Sequence, residues 1–177
     1  MHSENITIHR WLVLLPHRDS LQRMYKLQHQ LWQSGLLGAR LLPPLCFLAS
    51  VEKAASAEQR SRLARIIREK SQKFGEGGYI DGRGLGLFKL PGNFQVLGLS
   101  LSLDLAEAHL SSPVLIIALQ ADKKALDLAH SLYTEDEPFR FRQGAVANLA
   151  FTLHEDTNSS ISLRWELGKS SWMAHHG

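Results

Sequence analysis

Short apolar runs, each bounded by proline, glycine or polar residues, are the feature that most constrains the fold of this chain. The first run, Ile6 to Leu15, keeps a rough period of two and is followed by Pro16, which predicts a β-strand. Further strands are predicted over Leu45 to Val51, Phe94 to Leu103, Pro113 to Gln120, Val146 to Leu153 and Ile161 to Leu167. All are far shorter than the ~20 residues of a membrane-spanning helix, so no membrane partner is expected.

Two amphipathic stretches, one in the first fifth of the chain and one in the last third, predict helices. From Asp19, taken as the N-cap, apolar residues recur at helical spacing up to Gly35, which favours the end of a helix. The first helix is therefore predicted over about Ser20 to Ser34. Asp122 is expected to cap a second amphipathic helix in the last third of the chain.

A third predicted helix, between these two, is strongly basic. Ser56 and Gln59 have the spacing of a capping box, in which each side chain satisfies a free amide of the first turn. The helix is predicted to run to about Lys73 and to end at the glycines 75, 77 and 78. Its basic residues are Arg60, Arg62, Arg65, Arg68, Lys70 and Lys73. They indicate either a solvated helix face or a surface that binds RNA.

A glycine-rich segment follows the basic helix. Gly82, Gly84 and Gly86 superficially suggest a phosphate-binding loop, but the segment lacks the Gly-Lys-Ser/Thr of a P-loop and opens no helix. The turn at 91–93 (Pro-Gly-Asn) joins two apolar runs, so a β-hairpin is the better interpretation.

Strands interrupted by helices, with hairpins between them, predict a single α+β domain over residues 1–177 with antiparallel sheets and helices outside. Of the 177 residues 44% are hydrophobic and 21% charged, which is typical of a globular protein and excludes collagenous and low-complexity classes. The single cysteine, Cys46, cannot form an intramolecular disulfide. Because the first residues do not have the pattern of a signal peptide, we expect a cytoplasmic protein.

Two short segments bear a family resemblance: Phe47 to Val51, which follows two prolines, and Gly84 to Phe88, with Val96 to Leu99 further on. In these residues, and in the order of its predicted elements over most of its length, the chain resembles the 2H phosphoesterase superfamily. This group contains the bacterial RNA 2',3'-cyclic phosphodiesterase, also called the LigT or 2'-5' RNA ligase type. The resemblance implies two pseudo-symmetric lobes of antiparallel sheet, with outer helices, around a central groove.

In that family each lobe contributes a His-x-Thr or His-x-Ser motif, and the two histidines act as base and acid on a cyclic phosphate. Alignment through Phe47 places the first motif on Leu42 and Pro44. The second motif falls on Asn148 and Ala150. None of these side chains can transfer a proton near neutral pH. The resemblance therefore implies a scaffold without the usual two-histidine catalysis, whose groove binds a phosphate-containing ligand such as a nucleotide or an RNA end.

Two alternatives remain open at this point. An active phosphodiesterase, acting on a 2',3'-cyclic phosphate or a related nucleotide, would need rearranged catalytic residues. Its candidates are His109, in the local match His109-Leu110-Ser111 before the strand at Pro113, and His154, close in sequence to Asn148. A protein interaction module would instead fill the groove with side chains and bind through its exposed helices.

Arg140 and Arg142 lie two residues apart beside the second motif. Their side chains are expected on one strand face, where paired guanidinium groups hold a phosphate or carboxylate. Together with Asn148 they are the predicted ligand-binding residues, and salt bridges to Glu135 or Glu137 are the structural alternative.

Two further expectations concern the remaining candidates. Trp165 and Trp172 are expected in packing rather than as stacking platforms. The histidine and carboxylate spacings form no ligand set, so neither a metal nor another cofactor is expected.

Overall fold

A computed structural model describes residues 6–40, 42–52, 56–74, 77–90, 94–133, 138–154, 160–168 and 171–173. Within these ranges the chain forms three α-helices and nine strands, which confirms the predicted α+β class. The helices are α1 (Arg18–Gln33), α2 (Ala57–Lys70) and α3 (Lys123–Leu132). The strands are β1 (Ile6–Pro16), β2 (Cys46–Ser50), β3 (Gln72–Phe74), β4 (Gly77–Ile80), β5 (Gly82–Leu90), β6 (Phe94–Leu101), β7 (Val114–Ala118), β8 (Phe139–His154) and β9 (Ser160–Leu167).

All described strands belong to one antiparallel sheet in the order β3-β4-β8-β1-β2-β7-β6-β5, with β9 also paired to β8. The first two strands, β1 and β2, are paired, with Trp11 opposite Ser50 and Leu14 opposite Cys46. β8 pairs with β1 on one edge and with β4 and β9 on the other. The predicted hairpin is formed by β5 and β6, and its turn at 91–93 lies outside the described residues.

One face of the sheet packs against the helices and is called the helix-packed face. Leu12 and Leu14 of β1 point to this side, because alternate residues of a strand face opposite ways. Met24 of α1, Ile66 of α2 and Ala129 of α3 belong to the same buried cluster. Burial of these apolar stripes orders the three helices against the sheet.

The other face, called the helix-free face, has its own buried cluster, and none of the described helical residues belongs to it. Val13 and Leu15 of β1 point to this side. Leu42 and Leu45, from the segment that precedes β2, pack into the same cluster. The remaining buried members are Phe47, Val96, Ile116, Leu119, Ala145, Ala147 and Leu149. The 42–45 segment therefore covers part of this face in place of a helix.

The helix ends agree in part with the sequence predictions. Ser56 Oγ accepts a hydrogen bond from the Gln59 amide at 3.1 Å, and Asp122 Oδ1 accepts one from the Ala125 amide at 2.9 Å, so both predicted caps are confirmed. Gly35, with φ of 99°, follows the end of α1 as predicted. No described helix is both long enough and apolar enough to cross a membrane.

Two predicted helix boundaries are wrong. The N-cap of α1 is His17 rather than Asp19, which lies in the first turn. α2 ends at Lys70, and the glycines expected to end it lie further on, with Gly77 and Gly78 inside β4. A Cβ at Gly77 would lie 1.8 Å from the Phe141 carbonyl oxygen, so glycine is needed there for the close approach of β4 to β8.

Candidate functional site

A cavity of about 670 Å³ opens on the helix-free face. It is lined by residues of five strands and by the segment 109–112, which connects a short 3-10 turn to β7. We call it the His109 cavity. Its lining residues are Trp11, Phe47, Leu48, Ala49, Ser50, Phe88, Lys89, Ser100, His109, Leu110, Ser111, Ser112, Val114 and Ile116.

Three aromatic side chains give the His109 cavity an apolar wall. Trp11 and Phe47 meet edge to face, with ring centroids 5.6 Å apart and planes at 74°. Both belong to the helix-free face, as does Phe88 of β5. Such rings offer a flat apolar surface to the planar part of a ligand.

Polar groups line the rest of the cavity. Ser50 and Ser100 are half-buried hydroxyl residues on its sheet side, and Ser111 supplies a hydroxyl from the 109–112 segment. Lys89 and His109 are exposed cavity residues. Hydroxyls donate and accept hydrogen bonds, while a lysine ammonium attracts anions. The cavity thus combines an aromatic wall with hydrogen-bonding groups and a cationic rim.

His109 occupies a turn and not a strand. It follows the 3-10 turn Ala106–Ala108 with φ of 56° and ψ of 35°, a left-handed conformation that is uncommon outside glycine. Its amide donates to the Ala106 carbonyl at 2.9 Å, and the Leu110 amide donates to the Leu105 carbonyl at 3.2 Å. These bonds fix the turn so that both His109 and Ser111 of the His-x-Ser match line the cavity.

The two positions aligned with the family motifs do not meet. Asn148 lies opposite Arg10 of β1 and alternates with Ala147, so its side chain is on the helix-packed side of the sheet. Leu42 is buried in the cluster of the helix-free face. The expectation that the two positions converge on one cleft is therefore wrong, because strand alternation turns Asn148 away. Among the described residues, its buried Oδ1 has no hydrogen-bond partner.

Arg140 and Arg142 have different surroundings. Arg140 Nη1 lies 3.7 Å from Asp19 Oδ2, and the Arg140 amide donates to Ser20 Oγ at 2.7 Å. Arg142 is exposed, and the pairing of β8 with β1 is irregular beside it, which interrupts the alternation that predicts a common face. Among the described residues, Arg140 forms an ion pair with Asp19 of α1. The predicted partners Glu135 and Glu137 lie outside the described residues.

The remaining candidate residues, His154, Trp172 and Trp165, lie in β8, in the 171–173 segment and in β9. His154 is the last residue of β8, and its side chain lies outside the described residues. Trp172 is partly buried against the core cluster of the helix-packed face, which confirms its predicted packing role, and its Nε1 donates to the Val13 carbonyl at 3.0 Å. Trp165 is 45% exposed, so the prediction that it is a packing residue is wrong.

The basic helix α2 carries several ion pairs. Arg62 lies 3.7 Å from Glu58, and Arg65 lies 3.9 Å from Glu69. Lys70 lies 3.9 Å from Glu107, in the 3-10 turn beside His109. These carboxylates offset much of the positive charge that the sequence suggests, which favours a solvated helix face over an RNA-binding surface.

Metal and thiol chemistry have little support in the described residues. They contain no group of three histidine, cysteine, aspartate or glutamate side chains that could hold a metal ion. Cys46 is fully buried on β2, and burial raises the pKa of its thiol far above its ordinary value. A protonated, inaccessible thiol is a poor nucleophile.

The sequence did not identify most of the His109 cavity. Of its lining residues, only His109 and Ser111 could be named as site candidates, whereas Trp11, Phe88 and Ser50 could not. The alternation in β1 does place Trp11 on the face opposite Leu12. The pairing of β2 with β7, which brings β5, β6 and β7 to the same cavity as β1 and β2, is long-range and leaves no comparable local signal.

No protein-family model matches this chain. A search of the curated proteins likewise gives no significant match.

Proposed function

We propose that this chain binds a small phosphate-containing ligand, a nucleotide or an RNA end, in the His109 cavity. In this proposal the scaffold is of the 2H phosphoesterase type, with two pseudo-symmetric lobes around a groove, and lacks the family's two-histidine catalysis. The observation that carries the proposal is the cavity itself, in which an aromatic wall faces hydroxyls, Lys89 and His109.

The dimensions and chemistry of the cavity suit such a ligand. Its volume of about 670 Å³ lies within the range of small-molecule sites. A base can stack on the wall formed by Trp11, Phe47 and Phe88, since aromatic side chains stack on every nucleobase. Lys89 and the hydroxyl of Ser111 can bind the phosphate by charge-assisted hydrogen bonds. The ligand therefore needs both a planar ring and an anionic group.

The same residues favour binding over catalysis. Hydrolysis of a cyclic phosphate by the family mechanism needs one imidazole as base and another as acid. Among the described lining residues, His109 is the single imidazole. His9 lies on the same sheet face as Trp11, two residues away along β1, but is not among the residues that line the cavity.

Titration calorimetry with adenosine 3'-monophosphate, adenosine and inorganic phosphate tests this proposal. We expect the nucleotide to bind at least about tenfold more tightly than adenosine or phosphate, because only the nucleotide engages both the wall and the cationic rim. Lys89→Ala should weaken nucleotide binding, while Lys124→Ala, an exposed lysine of α3 away from the cavity, should not. Equal affinity for all three compounds, or an unchanged affinity in Lys89→Ala, would overturn the proposal.

A hydrolysis assay separates binding from the active phosphodiesterase alternative. With a 2',3'-cyclic nucleotide we expect no turnover above the buffer rate. Turnover that is lost in His109→Ala but kept in His130→Ala, an exposed histidine of α3, would establish the enzyme and refute the proposed absence of catalysis.

A further inference from the structure

A second concave surface lies beside the segment that precedes β2. Two cavities of about 420 and 410 Å³ share the side chains of Tyr25, Pro43 and Trp165. Tyr25 is 49% and Trp165 45% exposed, although large aromatic side chains are usually more buried. We call this surface the Trp165 groove. Its lining residues do not include any residue of the His109 cavity.

The floor of the Trp165 groove is aliphatic. Leu15 of β1, Leu45 and Leu167 of β9 line it, together with two prolines of the 42–45 segment. An aliphatic floor between two exposed aromatic rings suits a ring or a branched apolar side chain. Grooves lined by aromatic residues also bind the preformed extended helix of proline-containing peptides.

Two exposed arginines lie at one end of the groove. Arg18 is the first residue of α1, and Arg142 lies near the start of β8. Neither forms an ion pair with a described carboxylate, whereas the neighbouring Arg140 is paired with Asp19. Guanidinium groups recognise carboxylates by two parallel hydrogen bonds, so this end of the groove complements an acidic residue.

We propose that the Trp165 groove docks an extended, acidic, proline-containing segment of a partner protein. A proline or leucine of the segment packs between Tyr25 and Trp165, and a carboxylate binds Arg18 and Arg142. A single-stranded RNA would also use aromatic rings and arginines, but it gains little from an aliphatic floor and needs a track of cations along its phosphates. The groove offers two such arginines at one end, which favours the peptide. This inference does not depend on the proposed ligand of the His109 cavity.

The proposal can be tested with an array of short proline-containing peptides. Each peptide is made in an acidic form and in a second form, in which asparagine or glutamine replaces each aspartate or glutamate. Fluorescence anisotropy then gives affinities for the best acidic peptide, for its amide counterpart and for a labelled oligouridine. We expect the acidic form to bind at least about tenfold more tightly than either of the other two.

Variants of the full chain locate the binding. Trp165→Ala and Arg142→Ala should each weaken binding of the acidic peptide by about tenfold, and Arg142→Lys should recover part of the lost affinity. Leu37→Ala is the control, because Leu37 is a 73% exposed apolar residue that lines neither cavity of the groove. The proposal is overturned if no acidic peptide binds, if oligouridine binds more tightly, or if Trp165→Ala leaves the affinity unchanged.

Discussion

The middle of β1 is buried on both faces, but by different means. Leu12 and Leu14 are 0% exposed beneath the helices, and Val13, on the opposite face, is also 0% exposed. On the helix-packed side the cover consists of three amphipathic helices. On the helix-free side it consists of the side chains of other strands and of the 42–45 segment, through Leu42.

This difference explains where the candidate sites lie. A helix presents a continuous apolar stripe, which fills the space above a sheet at high density. An irregular segment covers a sheet less evenly, and concave sites form next to it. The Trp165 groove adjoins the 42–45 segment through Pro43, and the His109 cavity adjoins the 109–112 segment. Variants that act on one cover and not on the other test this interpretation.

The cover of the helix-free face is most directly disturbed at Gly38, in the 3-10 turn between α1 and the 42–45 segment. A Cβ there would lie 1.8 Å from the Leu119 carbonyl oxygen, and the Gly38 carbonyl accepts a hydrogen bond from the Leu119 amide at 3.0 Å. Because the contact is with backbone, the turn itself must move. We expect Gly38→Ala to lower the free energy of unfolding by about 3 kcal/mol in urea denaturation.

Gly35→Ala is the control for this prediction. Gly35 has φ of 99°, and a Cβ at this residue would have nothing within 4 Å, so the substitution meets backbone strain without a clash. Its cost should be about 1 kcal/mol. Equal losses in the two variants would contradict the close approach of the turn to the chain that follows β7.

Gln28 connects α1, which packs on the helix-packed face, to the 42–45 segment, which covers part of the helix-free face. Its substitution should have the next largest effect on stability. It is buried on α1, and its Nε2 donates to the carbonyls of Leu42 at 3.0 Å and Ile117 at 2.9 Å. Gln28→Leu leaves both carbonyls without this donor, which should cost about 2 kcal/mol in the same denaturation assay. Gln30→Leu, at a half-buried position on the same helix, should change stability by less than about 0.5 kcal/mol. A neutral Gln28→Leu would mean that the 42–45 segment is held by its leucines alone.

Local features of the fold could be predicted from the sequence, whereas the site could be predicted only in part. The caps at Ser56 and Asp122 act within one turn, so their residue types alone identify them. The face on which Asn148 lies depends instead on the register of β8 against β1. The exposure of Trp165 depends on what packs over its strand, which alternation does not specify. His109 could be singled out because its motif is local.

Cys46 reports whether water is excluded from the helix-packed face, because it is buried in the cluster on that side. Burial raises the pKa of the Cys46 thiol, so the folded state retains this proton at a pH where the unfolded chain has lost it. Above the unfolded-state pKa of about 8.5, the folded state binds more protons, and stability must fall as pH rises. This thiol therefore lowers the free energy of unfolding by up to about 1.4 kcal/mol for each pH unit above that value.

Urea denaturation between about pH 9 and pH 10.5 measures this slope. Because tyrosines and lysines also titrate in this range, the difference between the wild-type chain and Cys46→Ala isolates the thiol. If the difference in free energy of unfolding between the two proteins stays constant with pH, water reaches Cys46 in the folded state. The helix-packed face would then be no better closed to water than the helix-free face.

The smallest predicted effect tests the helical cover itself, at the cap of α2. Ser56→Ala removes the acceptor for the Gln59 amide and should lower the free energy of unfolding by about 1 kcal/mol. Ser56→Asp should retain most of the stability, because a carboxylate accepts the same bond and interacts favourably with the helix dipole. Ser61→Ala, at an exposed position inside α2, should be neutral or slightly stabilising, since alanine has the higher helix propensity. If Ser56→Ala is as neutral as Ser61→Ala, packing against the sheet alone fixes the start of this helix, and the cap is dispensable to the cover.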